Sequence, residues 1–154
     1  MKKIKLTQGK VAIVSDVDYN YINKFKWFTF SPRKNIYYAA RTQGGKLILM
    51  HRIIANTPAD LHTDHINKNG LDNRRSNLRA CTFTQNMQNK NIYSNNTCGY
   101  KGVVKVGKRW LAKITYNKKR ISIGRFDSPE EAAKAYNNKA KELFGHYASV
   151  NKLY

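Results

Sequence analysis

Cysteine is scarce in this 154-residue chain: Cys81 and Cys98 are its two, and they form neither a CxxC pair nor any metal-ligand spacing. That excludes a disulfide framework, gives no indication of structural zinc, and makes a reducing compartment the default. Long apolar runs are missing as well. The run in the N-terminal segment, Val11 to Val14, is too short for a signal-peptide core or a membrane span, so Met1-Lys2-Lys3 is not expected to open a leader. No long basic amphipathic helix stands in the pattern, which argues against an anionic membrane as partner. A soluble, cytoplasmic protein is expected. Acidic residues are few: 9 Asp and Glu face 29 Lys and Arg, a formal net charge of +20. Such an excess repels itself, and the usual compensating partner is a polyanion, with nucleic acid the leading candidate. Hydrophobic residues make up 41% of the chain, enough for one medium domain or two small ones with small cores.

The chemistry-bearing residues concentrate between 63 and 90. Asp64 and His65 sit side by side ahead of Ile66, and a polar, Gly-containing loop follows. Then come the run Leu78 to Phe83 and the Gln/Asn-rich stretch Thr84 to Lys90. The order reads as strand, loop, strand, short helix. Asp64 offers a hard oxygen ligand, His65 a base that titrates near neutral pH, and Asn86 a carbonyl oxygen on the helix. Adjacent strand residues point to opposite faces, so Asp64 and His65 can share a site only where the strand ends, twists or bends.

The run Asp64-His65-Ile66-Asn67, continued by Asn69-Gly70-Leu71-Asp72-Asn73-Arg74-Arg75-Ser76-Asn77-Leu78-Arg79, resembles the HNH nuclease motif, the ββα-metal site of phage and intron-type homing endonucleases. By that resemblance His65 matches the first His and Asn77 the central Asn. Asn86 matches the third position, where this branch carries Asn in place of His. The resemblance implies that Asp64 and Asn86 hold one divalent cation, magnesium with manganese as a substitute, and that His65 activates the attacking water. Asn77 is then expected to fix the loop and the orientation of His65. It also puts Arg74 on a position where the family keeps Arg. Beside a phosphodiester site Arg74, Arg75 and Arg79 are expected to contact phosphate, because guanidinium forks match phosphate oxygens.

Upstream, residues 1 to about 60 read as sheet-rich. Strands are expected at Lys3–Thr7, Val11–Ser15, Trp27–Phe30, Ile36–Arg41 and Lys46–Met50, with Gly44-Gly45 turning a hairpin. Asp16 to Phe25 reads as a helix capped by Ser15 or Asp16 that buries Tyr19, Ile22 and Phe25. Trp27, Phe28, Tyr37 and Tyr38 are expected in the core rather than on bases. His51 precedes Arg52 in a pair that the family often carries. It either supports the site or satisfies a buried backbone group, and the sequence leaves both open.

From Gly99 the pattern changes. Tyr100–Val106, Arg109–Tyr116 and Arg120–Phe126 are three expected strands joined by short hairpin connections. Ser128-Pro129-Glu130-Glu131 announces a capped helix whose apolar face is Ala132, Ala133, Tyr136, Ala140 and Leu143. Alternation puts Trp110, Ala112, Ile114, Ile121 and Ile123 toward that helix. It leaves Lys101, Lys105, Arg109, Lys113, Thr115, Arg120 and Ser122 on the other face, an exposed basic sheet able to enter a major groove. Tyr100-Lys101-Gly102-Val103, Trp110-x-Ala112-x-Ile114, Gly124-x-Phe126, the Glu-Glu-Ala-Ala helix and Asn151 resemble the APETALA-type, or ethylene-response-factor-type, DNA-binding domain. That family lays its sheet in the major groove, which implies DNA contacts from Lys101, Arg109 and Arg120. Val104, Thr115 and Ser122 depart from common plant residues, so the plant target sequence is not implied.

The expected fold is α+β, with a small sheet-rich N-terminal region, a central ββα-metal motif, and a C-terminal three-stranded antiparallel sheet packed on one helix. The expected domains are a nuclease domain at 1–90, a linker at 91–98 and a DNA-binding domain at 99–154. The expected function is a metal-dependent endonuclease acting on double-stranded DNA, a monomer that nicks one strand, in host-cell cytoplasm if phage- or intron-encoded. The competing reading is a sequence-specific DNA-binding regulator whose nuclease motif is inert.

Overall fold

The computed structural model describes residues 1–90, 92 and 96–153; Asn91, Tyr93, Ser94, Asn95 and Tyr154, and with them much of the expected 91–98 linker, lie outside the described residues. The fold is α+β, and the chain divides into two compact units, Met1–Asn86 and Met87–Tyr154.

In the first unit, β1 (Lys2–Lys5) and β2 (Val11–Val14) pair antiparallel, and α1 (Asp16–Ile22) follows. The helix stops three residues earlier than its apolar spacing suggests. Ile22 is fully buried and its carbonyl accepts the Trp27 indole N–H at 2.8 Å. Ser15 makes no side-chain cap for α1; its Oγ accepts the backbone N–H of Arg75 instead. A meander of β3 (Phe28–Arg33), β4 (Ile36–Gln43) and β5 (Lys46–Leu49) follows, its last turn built on Gly44 and Gly45, both with positive φ. Next, α2 (Met50–Ala55) buries Met50 and Ile54, four residues apart, in a core shared with Ile4, Ala12, Val14, Ile22, Trp27 and Ala39. Each fully buried Ile or Met there contributes about 1.5–3 kcal/mol. Trp27 is core, as expected, whereas Tyr37 and Tyr38 are half-buried.

The nuclease-like stretch is β6 (His62–His65), a connection, β8 (Leu78–Cys81) and α3 (Phe83–Gln88). β6 and β8 pair antiparallel, with Asp64 opposite Arg79 and His65 opposite Leu78. Thr82 and Gln85 open α3 with a reciprocal capping box, Thr82 N–H donating to Gln85 Oε1 and Gln85 N–H to Thr82 Oγ1. The connection carries order that sequence reading did not foresee. Asp72–Asn73 forms β7, parallel to β2 with Ile13 opposite Asp72 and Val14 opposite Asn73, and Arg75–Asn77 makes a 3-10 turn.

In the second unit β9 (Val103–Val106), β10 (Arg109–Tyr116) and β11 (Lys119–Phe126) form an antiparallel sheet in the order β11-β10-β9. It packs on α4 (Pro129–Phe144), whose Ser128 cap accepts the Glu131 N–H at 3.2 Å. Ala132, Ala133 and Ala140 are fully buried against Val103, Ala112 and Ile114, small residues allowing close approach. Asn151 clasps the ends together. It exchanges two hydrogen bonds with the Asn137 carboxamide and two with the Lys101 backbone.

Candidate active site

The site is assembled where β6 ends. His65 is the last residue of β6, and its carbonyl accepts the N–H of Lys68 at 2.9 Å, closing a turn. Both Asp64 and His65 are still paired with β8, opposite Arg79 and Leu78, and the strand ends directly after them. Both are buried, at 7% and 6% exposure. Arg79 donates to Asp64 Oδ2 from Nε at 2.9 Å and Nη2 at 2.7 Å, so its guanidinium is directed at the carboxylate rather than at solvent.

Asn73 sets the state of His65. This asparagine has no exposed surface, because β7 is stapled to β2, and its Oδ1 lies 3.1 Å from His65 Nε2. Its amide is directed to the Leu71 carbonyl at 3.4 Å. Its oxygen therefore faces the imidazole, which donates from Nε2 and keeps its lone pair on Nδ1. Burial pushes the His65 pKa below the ordinary histidine value, against opposing pulls from Asn73, Asp64 and Asp72. A neutral ring with a defined tautomer is what proton abstraction from water requires.

The Asn77 side chain hydrogen-bonds within the connection. Its Oδ1 accepts the Asn67 N–H, and its Nδ2 donates to Asn67 Oδ1 and to the Asp72 carbonyl, all within 3.0 Å. Its own carbonyl accepts the Ile66 N–H. It ties the connection together, and Asn73 makes a hydrogen bond to the His65 ring. The signal for Asn73 was present in the Asp-Asn-Arg run but lacked a partner until β7 paired with β2. Removing the acceptor with Asn73→Ala is expected to slow single-turnover cleavage by about 10–10²-fold, through a misplaced ring, with duplex affinity retained. Asn73→Asp keeps the acceptor and is expected to retain more activity.

Arg74 and Arg75 in the connection and Arg79 on β8 each meet a carboxylate. Arg74 donates to both oxygens of Asp72, Arg75 to both oxygens of Asp18 on α1, and Arg79 to Asp64. Arg74 and Arg75 keep 41% and 60% of their side chains exposed, Arg79 only 13%. Hydrogen bonding to Arg74 holds the Asp72 pKa below the usual carboxylate range. These pairs fasten the connection to α1 and to itself and β8 to β6, a structural use that sequence reading did not foresee.

Behind His65 lies His51 on α2, 6% exposed, its ring centroid 4.9 Å from that of His65 in an edge-on contact. Tyr38 stands against both rings, at 5.4 and 6.0 Å. Among the described residues buried His51 Nδ1 has no hydrogen-bond partner, and burial brings its pKa down to about 3. Gly70 closes this side. A Cβ there would collide with the Tyr37 carbonyl and the Tyr38 ring. Because the unfolded chain protonates His51 near 6.5, the unfolded state binds more protons between that value and about 3. Stability is therefore expected to fall as pH drops through this window, by up to about 1.4 kcal/mol per unit. Denaturant titrations from pH 7 to 4 should show the slope, and His51→Phe should flatten it.

Asn86 is half-buried on α3, its N–H donating to the Thr82 carbonyl. Its carboxamide makes no hydrogen bond among the described residues, leaving an oxygen donor available. Among the described residues no three His, Cys, Asp or Glu side chains form a metal-binding group. One buried carboxylate plus an amide oxygen fits a hard cation that retains waters and takes substrate phosphates, and does not fit a zinc cage.

The chain is 34% identical over 148 residues, 95% of its length, to an uncharacterized HNH endonuclease of Acanthamoeba polyphaga mimivirus, covering 77% of that protein. The chain belongs to the HNH endonuclease family. An 85-residue stretch, 53% of the chain, is 32% identical to dehydration-responsive element-binding protein 2D of Arabidopsis thaliana and covers 41% of that protein. No family profile matches the chain, and no solved structure does. Within this HNH family member no described helix is long and apolar enough to cross a membrane.

The second unit redistributes the expected DNA-contacting residues. Lys105 pairs with Trp110 and its Nζ lies 5.6 Å from that ring, so it is on the helix-facing side of β9, not the outer face that simple alternation assigned. Lys101 Nζ donates to the carbonyls of Gln88 and Lys90. Arg109 is exposed and pairs with Asp127. Arg120 is exposed opposite Thr115, and Lys113 is half-buried opposite Ser122.

Proposed function

We propose that this HNH family member is a metal-dependent DNA endonuclease in which His65 is the general base. The observation that carries the reading is the buried His65 imidazole, held neutral and donating from Nε2 to Asn73, beside the Asp64 carboxylate. Nδ1 takes the proton from an attacking water. Asp64 and Asn86 would hold one divalent cation, magnesium in the first instance with manganese as substitute; when bound it supplies charge stabilisation at the phosphate and the leaving oxygen. Arg79 pairs with the Asp64 carboxylate; were a cation held by that carboxylate, the guanidinium would be free to contact phosphate. Asn77 holds the connection that carries Asn73. Arg74 and Arg75 present their exposed edges to the DNA backbone.

The second unit, on this reading, grips duplex DNA through its sheet. Charge supports it: residues 87–154 carry fourteen Lys and Arg against four Asp and Glu. One motif implies one cut. A duplex labelled on one strand and then on the other should give product from a single strand with a monomeric chain. Equal cutting of both strands by a monomer would contradict the one-nick reading.

A further inference from the structure

Strand alternation counted from Ile121 and Ile123 directs Arg125 toward the helix. The register says otherwise. Lys113 pairs with Ser122, but the preceding residue, Ala112, pairs with Gly124, so β11 carries one extra residue, Ile123. Such a bulge reverses the side-chain parity beyond it. Phe126 consequently packs inward across from Trp110, and Arg125 emerges on the outer face, exposed, across from Leu111. On its other side Leu111 pairs with Val104. Leu111 and Val104 are half-buried, and neither packs in the cores formed by Val103, Ala112, Ile114 and α4.

One row across the outer face therefore reads Val104, Leu111, Arg125, flanked by Lys113 opposite Ser122 and by Thr115 opposite Arg120. Among the described residues Arg125 has no ion-pair or hydrogen-bond partner, in contrast to Arg109, which is tied to Asp127. An apolar pair beside an unpaired guanidinium is poorly matched to phosphate alone. It matches base edges. A guanidinium fork pairs with guanine O6 and N7, and small aliphatic groups pack on the thymine methyl.

We infer that Val104, Leu111 and Arg125 form a base-reading row that recognises a G·C pair next to an A·T pair in the major groove. Neighbouring strands lie about 4.8 Å apart and successive base pairs about 3.4 Å, so Leu111 and Arg125 reach the same or adjacent pairs. Arg125 donates both arms to guanine, and Leu111 with Val104 covers the thymine methyl. This rests on the proposal that the second unit binds DNA through this face, and it adds which bases are read and by which side chains.

The test selects duplexes from a random pool with the full chain in chelator, so that binding is read without cutting. The wild-type motif should contain adjacent G·C and A·T positions. Arg125→Ala should relax the G·C position, losing about 5- to 150-fold in discrimination. Arg125→Lys, which keeps the charge but not the fork, should lose it too. Leu111→Ala should relax the A·T position alone. If Arg125→Ala weakens all sequences equally, lowers the salt slope by about one unit, and is rescued by Arg125→Lys, the contact is to phosphate and the inference is overturned. If Arg120→Ala alters binding while Arg125→Ala and Leu111→Ala do nothing, the inference fails and DNA binding by the sheet survives. If all three are silent while the chain still binds DNA, both fall.

Discussion

His65→Ala is expected to lower the rate of DNA cleavage by about 10²–10⁴-fold, the usual contribution of a positioned general base, while duplex affinity stays near wild type. The ring is buried, so its loss leaves a cavity between His51, Tyr38 and Asn73. The stability loss should be checked by denaturant titration, so that an unfolded variant is not mistaken for an inactive one. His65→Gln retains bulk and a donor but offers no base, and should be as slow. Full activity in either variant would remove His65 from the chemistry. The pH profile gives a second view. Burial depresses the His65 pKa, so the neutral base persists to lower pH, and the acid limb of the cleavage rate should fall below the ordinary histidine value of about 6.5.

The second large effect is expected at Asp64. Asp64→Asn should cut magnesium-supported cleavage by at least about 10²-fold, on the scale of losing a group that acts in the transition state, with manganese restoring part of it. Asn is the informative replacement. Alanine would strand the Arg79 guanidinium, which is only 13% exposed, and breaking a buried pair by removing one partner costs about 3–5 kcal/mol. Asn86→Ala should show the same preference for manganese with a smaller loss and no such instability, since its carboxamide holds nothing else among the described residues. Wild-type rates for Asp64→Asn in magnesium would show that this carboxylate is not a ligand.

The α+β fold and the strand, loop, strand, helix order were legible because they rest on local signals. Gly44-Gly45 turns a hairpin, Ser128-Pro129 starts α4, and alanines on one face of α4 meet Ala112 and Ile114. Asp64, His65 and Asn77 could be singled out as candidates from the run that carries them. Long-range pairings were hidden. Asp72-Asn73 has poor strand propensity, and its pairing with β2, which buries Asn73 against His65, depends on residues about sixty positions upstream. The fate of Arg75 was hidden for the same reason, its partner Asp18 lying 57 residues away. On the outer sheet face a single extra residue at Ile123 defeated alternation, because period-two reasoning assumes an unbroken ladder. His51 showed only a dipeptide; its contact with His65 required α2 to pack beside β6.

The most direct test of metal-dependent cleavage by this chain is conversion of supercoiled plasmid to open circle by the purified full-length protein, in magnesium and in excess chelator. Open circle should accumulate with magnesium, ahead of linear product, and should be absent in chelator and with His65→Ala. Equal nicking in chelator, or equal nicking by His65→Ala, would contradict it.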